Sequence, residues 1–159
     1  MAQNDPLVSI IIPTYNEQLT IAEVIERVIK STEALDLAYE ILVIDDASID
    51  DTGSIVKKMN NDNIVYVRQP QNLGKGAAVI EGFRRAKGDL VLVQDADFEY
   101  DPSDYGHLLK PLIENRADVV FGSRFRGEVQ RVLYFWHYIG NTTLKLISNM
   151  FTNLNLSDM

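Results

Sequence analysis

The hydrophobic residues of this chain fall into short apolar runs that alternate with longer amphipathic segments. The short runs are nearly continuous and rich in β-branched residues, which is typical of strands buried on both faces of a parallel sheet. In the longer segments apolar residues recur every three or four positions, which predicts helices with one buried face. The predicted strands are residues 7–12, 40–44, 64–67, 90–94 and 118–122. The predicted helices are residues 20–31, 48–60, 77–86, 102–116 and 132–153.

Strand and helix alternate without interruption, which predicts an α/β fold with a mostly parallel, doubly wound sheet in a single domain over residues 1–159. Ligands of such sheets bind beyond the carboxyl ends of the strands. We therefore expect the polar loops that follow the strands to converge on one edge of the sheet. These loops are Tyr15-Asn16-Glu17, Asp45-Asp46, Asp95-Ala96-Asp97 and Ser123-Arg124.

Composition and charge narrow the class of protein. The hydrophobic fraction of 46% and the charged fraction of 24% are typical of a globular domain. The net charge of -8 argues against nucleic-acid binding, which depends on neutralising phosphates. The absence of cysteine excludes disulfides and thiolate metal sites and suits a reducing cytosol. Residues 1–6 do not resemble a signal peptide and are expected to be flexible, and no apolar run is long enough to predict a membrane span.

Asp95 and Asp97 are the strongest chemical signal in the chain. They follow an apolar run and lie two residues apart, so in an extended segment they point to the same side. Two carboxylates on one side repel each other unless a cation or hydrogen-bond donors lie between them. Carboxylate oxygens suit Mg²⁺ or Mn²⁺, and Glu99 could supply a third oxygen. The alternative is a solvated acidic turn that caps the helix beginning at Pro102.

Two further polar segments are candidates for ligand binding. Asp45-Asp46 follows the second predicted strand, and Gly74-Lys75-Gly76 precedes the helix predicted at residues 77–86. A carboxylate at Asp45 can accept hydrogen bonds from a nucleotide base or from ribose hydroxyls, and the alternative is capping of the next helix by Asp46 to Asp51. We assign Asp45 to a ligand and the later residues to the cap. Gly74-Lys75-Gly76 lacks the frame of a phosphate loop, so its glycines are assigned to a tight helix entry rather than Lys75 to a phosphate.

The last predicted helix, residues 132–153, is more apolar and aromatic than one buried face requires. It either packs on the core or lies as an amphipathic helix at a membrane interface. There Trp136 and Tyr138 would be favoured, and Lys145 would meet lipid headgroups. Residues 154–159 follow without a further closing element, so we expect the domain to be incomplete at its carboxyl end.

Together, five segments in order resemble the family 2 glycosyltransferases of GT-A fold. Within that family they are most similar to the branch of dolichol-phosphate mannose synthases and bacterial polyprenyl-phosphate glycosyltransferases. The resemblance extends over nearly the whole chain. The segments are residues 8–17, residues 44–52, Asn72-Leu73-Gly74-Lys75-Gly76, Asp95-Ala96-Asp97 and Gly122-Ser123-Arg124.

The resemblance implies a nucleotide-sugar site built from two groups of residues. Pro13, Tyr15 and Glu17 would hold the base and the ribose. Val43 and Asp45 would lie beside them. The donor itself is expected to be a nucleotide-diphosphate sugar of the GDP-mannose or UDP-glucose type.

For the diphosphate, the resemblance implies that Asp95 and Asp97 hold Mg²⁺ or Mn²⁺ while Ala96 lines the nucleotide site. Arg124 is similar to an arginine that contacts the phosphates or the acceptor. Many members of the family carry Gln where this chain has Glu99. Glu99 can still ligate the metal, but it adds a negative charge to the site.

The resulting hypothesis is an inverting, metal-dependent transfer of a hexose to a polyprenyl or dolichyl phosphate at the cytoplasmic face of a membrane. The acceptor phosphate is ionised near neutral pH, so it can attack the anomeric carbon without a general base. Asp97 would act through the metal, and Asp158 would be a base or an acceptor-site carboxylate. The alternatives are transfer to a polysaccharide or a protein-linked sugar, which requires a general base, and a non-catalytic nucleotide-binding module. The sequence leaves the oligomeric state open.

Overall fold

The computed structural model describes residues 6–122 of the chain. Contacts divide the chain into two units, Met1–Asp118 and Val119–Met159, and only residues 119–122 of the second unit are described. The predicted helix at 132–153 and the predicted site residues Arg124 and Asp158 lie outside the described residues.

In the described part of the chain, strands and helices alternate as the apolar pattern predicts. A 3₁₀ turn at Pro102–Asp104 leads into the last described helix, and Asp101 caps it by accepting a 2.9 Å hydrogen bond from the amide of Ser103. The strands are β1 (Val8–Thr14), β2 (Tyr39–Asp45), β3 (Ile64–Arg68) and β4 (Leu90–Val93). The helices are α1 (Ile21–Ala34), α2 (Thr52–Lys58), α3 (Lys75–Arg85) and α4 (Tyr105–Ile113).

The four strands form one sheet in the order β3-β2-β1-β4, and every neighbouring pair is parallel. The chain places β2 and β3 on one side of β1 and then crosses to put β4 on the other side. Ile11 on the central strand lies beside Leu42 of β2 and Val93 of β4. The predicted α/β class with a parallel sheet is confirmed. The crossover creates a topological switch point between β1 and β4.

Helices cover both faces of the sheet, which explains why its central strands are almost continuously apolar. One face packs against α1, α2 and α4, and the other packs against α3. Alternate residues of β1 serve the two faces, since Ile10 and Ile12 belong to the first layer and Ile11 to the second. The first layer also contains Ile21, Val24, Ile25, Val28, Val56, Tyr105 and Leu109.

The predicted fifth strand at 118–122 is wrong, because these residues form no strand in the described part of the chain. Val119 and Phe121 are 65% and 76% exposed. A short apolar run supplies only a preference for extended structure. A strand also requires a neighbouring backbone with which to pair, and this segment has none among the described strands.

The predicted start of the second helix at Ser48 is also wrong, since α2 begins at Thr52. Ser48 lies in the preceding loop, where its hydroxyl accepts a hydrogen bond from Asn16. Ala47, immediately before the predicted start, adopts a left-handed φ of 63°, as is common in a turn. The polar residues between Asp46 and Asp51 therefore belong to the loop that precedes α2.

Gly82 allows α3 to lie directly on the sheet, because a Cβ at this position would come 2.4 Å from Cγ2 of the fully buried Ile11. We expect Gly82→Ala to lower the free energy of unfolding by about 1–3 kcal/mol through overpacking. Urea denaturation would measure the loss. Gly76→Ala in the same helix is the matched control, since a Cβ there meets nothing within 4 Å. Equal stability of the two variants would contradict this close packing.

Candidate functional site

A pocket lies at the carboxyl ends of β1 and β4, at the switch point of the sheet. Parallel sheets bind ligands in this crevice because neighbouring loops diverge from it to either side. The pocket brings together six residues that the sequence predicted for the nucleotide-sugar site: Pro13, Tyr15, Glu17, Asp95, Ala96 and Asp97. It is also lined by Thr14, Asp46, Lys75 and Ala78, which the sequence did not assign to it.

The loop after β1 forms one wall of the pocket and is fixed by the loop after β2. Tyr15 is 45% exposed, so its ring is accessible to a ligand. Glu17 accepts a 2.8 Å hydrogen bond from the hydroxyl of Thr20. Backbone amides of this wall donate to side chains of the second loop: Asn16 to Ser48 Oγ at 2.9 Å, Glu17 to Thr52 Oγ1 at 2.8 Å and Gln18 to Asp50 Oδ2 at 3.1 Å.

Asp50 and Thr52 strengthen this connection between the loops. Thr52 donates to Asp50 Oδ1 through both its amide and its hydroxyl. Burial raises the pKa of the Asp50 carboxyl, but the hydrogen bonds from Thr52 and Gln18 outweigh it and lower the pKa below the ordinary value. Asp50 therefore remains an anionic acceptor near neutral pH. The sequence signal for this connection is the cluster of short polar residues after β2, whose pattern predicts helix capping instead.

Asp45 lies outside the pocket lining, and its side chain is fully buried. Oδ1 accepts a 2.8 Å hydrogen bond from the amide of Ser48, and Oδ2 accepts from the hydroxyl of Tyr66 and lies 3.5 Å from Nη1 of Arg68. Burial and the anionic Asp45 raise the pKa of Tyr66 to about 12. Val43 is likewise fully buried. The nucleotide contacts predicted for Asp45 and Val43 stay predictions.

Asp46, the next residue, does line the pocket, although it is only 2% exposed. Its two carboxylate oxygens accept hydrogen bonds from the amides of Leu73 at 2.8 Å and Gly74 at 2.7 Å. Gly74 has a φ of 87°, which turns the chain into α3. Asp46 therefore holds the start of α3, and with it Lys75, against the pocket. The sequence shows that Asp46 follows β2, but it does not indicate the contact with Gly74, which lies 28 residues away.

Asp95 and Asp97 form the opposite wall of the pocket. Oδ1 of Asp95 lies 2.7 Å from the ammonium nitrogen of Lys75. Oδ1 of Asp97 accepts a 2.8 Å hydrogen bond from the amide of Glu99. Glu99 is exposed and does not line the pocket. Within residues 6–122, no group of three acidic, histidine or cysteine side chains is arranged to hold a metal ion, so the predicted set of Asp95, Asp97 and Glu99 is not assembled.

Gln94 holds the loop that carries these two carboxylates. Its side-chain amide is buried and donates to the backbone oxygens of Asp95 at 3.1 Å and Tyr100 at 3.2 Å. Its carbonyl oxygen accepts a 2.8 Å hydrogen bond from the hydroxyl of Tyr105 on α4. Burial raises the pKa of Tyr105, which therefore stays protonated as a donor.

The outer part of the same loop contacts α1. The guanidinium carbon of Arg27 lies 4.9 Å from the centre of the Phe98 ring, a cation–π contact. Hydrogen bonds from Ser103 lower the pKa of Asp101, and Arg27 adds to the effect. The loop between β4 and the 3₁₀ turn is thus tied to α4 through Gln94 and to α1 through Phe98.

The donor set of the pocket suits a divalent cation bound together with a ligand. Two carboxylates project from one loop, and hard oxygen ligands are those that Mg²⁺ and Mn²⁺ prefer. Mg²⁺ in particular is commonly held by one or two carboxylates together with substrate phosphates and water. Asp95 and Asp97 fit such a site, while the exposed Tyr15 and the half-buried Glu17 form a separate wall suited to a base or a ribose.

The parallel sheet, with these loops at its switch point, is similar to solved structures of GT-A glycosyltransferases. Mannosyltransferase PcManGT from Pyrobaculum calidifontis, in complex with GDP-Man and Mn²⁺, is 32% identical with a TM-score of 0.54 over 59% of this chain and 28% of that chain. S. aureus TarS 1-349 in complex with UDP-GlcNAc is 26% identical with a TM-score of 0.58 over 79% and 40%.

The sequence places the chain within this class. The model of glycosyl transferase family 2 matches residues 9–158, so the chain belongs to that family. The undecaprenyl-phosphate 4-deoxy-4-formamido-L-arabinose transferase of Proteus mirabilis is 32% identical over 91% of this chain and 43% of its own length. The dolichol-phosphate mannosyltransferase of Pyrococcus furiosus is 38% identical over 74% of this chain and 33% of its own length. The resemblance seen in the motifs is confirmed.

The chain spans less than half the length of these curated relatives. Among residues 6–122, no helix is both long enough and apolar enough to cross a membrane.

Proposed function

We propose that this chain provides the donor site of an inverting, metal-dependent glycosyltransferase that transfers a hexose from a nucleotide-diphosphate sugar to a polyprenyl phosphate. The observation that carries the proposal is the pairing of two walls in one pocket, with Tyr15 and Glu17 after β1 and Asp95 and Asp97 after β4. Membership of glycosyl transferase family 2 and the two lipid-phosphate transferases among its relatives support the same function.

In the proposed mechanism, each wall has a separate task. Tyr15 and Glu17 bind the nucleoside, and the loop contacts to Ser48, Asp50 and Thr52 keep them in place. Asp95 and Asp97 hold a divalent cation, with Mn²⁺ favoured by the complex of PcManGT. When bound, this cation stabilises the negative charge that develops on the departing nucleoside diphosphate.

Because the proposed acceptor is a phosphate, the proposed mechanism does not require a general base. A phosphate monoester is ionised near neutral pH, so its oxygen can attack the anomeric carbon directly while the bond to the diphosphate breaks. Attack opposite the leaving group inverts the anomeric configuration. Arg124 and Asp158 are proposed to act toward the phosphates and the acceptor. A lipid acceptor also places the protein at a membrane surface, and we propose the cytoplasmic face because nucleotide sugars would supply the donor there.

A turnover assay tests the acceptor. The chain is incubated with radiolabelled GDP-mannose or UDP-glucose, C55 polyprenyl phosphate and Mn²⁺ or Mg²⁺, and label is measured in the organic phase. We expect a lipid-linked sugar that requires both the metal and the lipid phosphate. Label that appears only on soluble polysaccharide or protein would contradict the lipid acceptor. Metal-dependent nucleotide binding without any transfer would instead identify a binding module.

A further inference from the structure

The pocket carries an excess of negative charge that a diphosphate must overcome. Among its described lining residues, Glu17, Asp46, Asp95 and Asp97 are carboxylates and Lys75 is the only cation. A nucleoside diphosphate brings further negative charge. Repulsion between these carboxylates and the diphosphate opposes nucleotide binding, so the position of each cation affects the affinity for the nucleotide.

Lys75 forms an ion pair with Asp95, which is one of the predicted metal ligands. Its ammonium nitrogen lies 2.7 Å from Oδ1 of Asp95, whose side chain is only 18% exposed. The carboxylate is therefore compensated by the protein itself. A divalent cation that approaches Asp95 meets a positive charge already at its ligand, and the described residues offer no third ligating side chain to outweigh it.

The backbone of Lys75 is anchored, while its side chain is long and largely exposed. Lys75 is the first residue of α3, and Asp46 anchors the two preceding residues through hydrogen bonds from the amides of Leu73 and Gly74. The Lys75 side chain is 64% exposed and flexible, with an ammonium that can rotate among acceptors. Its charge can therefore pass from Asp95 to another anion in the pocket while the helix stays in place.

Building on the proposed function, we propose that Lys75 is a built-in counter-cation, which holds Asp95 when the pocket contains no ligand and transfers to the diphosphate when metal and nucleotide bind. Lys75 thereby weakens the binding of free metal and strengthens the binding of the nucleotide. Metal and nucleotide then bind cooperatively, because each removes an obstacle to the other. In this scheme Lys75 acts on the metal through Asp95 and on the nucleotide through direct contact with the diphosphate.

Removing the charge should change the two affinities in opposite directions. For Lys75→Met we expect Mn²⁺ alone to bind about three- to tenfold more tightly, because an opposing charge at its ligand is lost. We expect UDP or GDP in the presence of saturating Mn²⁺ to bind about fivefold more weakly, because a phosphate partner is lost. Calorimetry measures both affinities, and the amount of free Mn²⁺ can be followed by its electron paramagnetic resonance signal.

The controls separate this role from a structural one. Lys110→Met on α4 makes the same change of charge at an exposed position outside the pocket lining and should leave both affinities unchanged. Lys75→Arg keeps the charge and should resemble the wild type. If Lys75→Met folds poorly, Lys75→Gln provides the same comparison with a polar side chain. Affinities for Mn²⁺ and nucleotide that change in the same direction, or not at all, would overturn the inference while leaving the proposed function intact. A wild-type chain that binds neither UDP nor GDP with Mn²⁺ would overturn both.

Discussion

Asp97→Ala is expected to weaken the binding of UDP or GDP in the presence of Mn²⁺ by roughly a hundredfold or more. Asp97 is one of two carboxylates on the wall that follows β4, and it lines the pocket. Its loss removes a hard oxygen ligand and leaves the diphosphate to face Asp95 and Glu17 with less cation to offset them. The residual affinity of the variant should no longer depend on Mn²⁺, because the variant lacks the bound metal. Isothermal calorimetry measures the two states directly.

Asp62→Ala provides the matched control for this experiment. Asp62 is exposed and precedes β3, so it lies at the amino end of that strand, opposite the edge that carries the pocket. It loses the same charge and should bind nucleotide as the wild type does. If Asp97→Ala retained metal-dependent binding, the metal site would have to be built from other residues.

Asp46→Ala is expected to lower the free energy of unfolding by about 2–4 kcal/mol, because two backbone amides lose a buried, charged acceptor. Asp46 is 2% exposed and accepts hydrogen bonds from Leu73 and Gly74. The same change releases the start of α3, so nucleotide affinity should fall together with stability. Urea denaturation followed by circular dichroism gives the first value, and calorimetry gives the second.

A graded variant tests whether the two amides are the cause. Asp46→Asn keeps one carbonyl oxygen as an acceptor, so it should lose only about half as much stability as Asp46→Ala. If both variants unfolded at the wild-type urea concentration, the hydrogen bonds to Leu73 and Gly74 would not hold the loop as described.

The parts of the fold that the sequence predicted are those set by apolar periodicity. β1 and β2 lie close to their predicted bounds because burial on both faces requires a nearly continuous apolar run. The same pattern at residues 118–122 predicted a strand that the structure lacks. Periodicity reports the preference of a segment for extended structure, whereas strand formation depends on a partner distant in sequence.

The convergence of the site was also predictable, since the carboxyl ends of parallel strands share one edge. The orientation of individual side chains was not. Asp45 and Asp46 are adjacent, yet Asp45 is fully buried and Asp46 lines the pocket. Asp45 accepts a hydrogen bond from Tyr66 and Asp46 accepts one from Leu73, and each partner lies 20 or more positions away in the sequence. A sequence pattern contains no direct record of such contacts.

The contact between Lys75 and Asp95 was likewise not predictable from the sequence. The motif around Lys75 lacks the frame of a phosphate loop, so the sequence predicts that its glycines form a helix entry. The entry is present, since α3 begins at Lys75. However, its ammonium also meets Asp95 across the pocket, a contact that depends on how α3 and β4 are placed on the sheet.

The two walls of the pocket are attached to the sheet by pairings of different length. β1 pairs with β2 over seven residues, from Val8 to Thr14, whereas β4 pairs with β1 over four. After β4, Gln94 donates to the backbone oxygens of Asp95 and Tyr100 and accepts a hydrogen bond from Tyr105. The position of the two carboxylates of this wall therefore depends on side-chain hydrogen bonds to a greater extent than the position of the wall that follows β1.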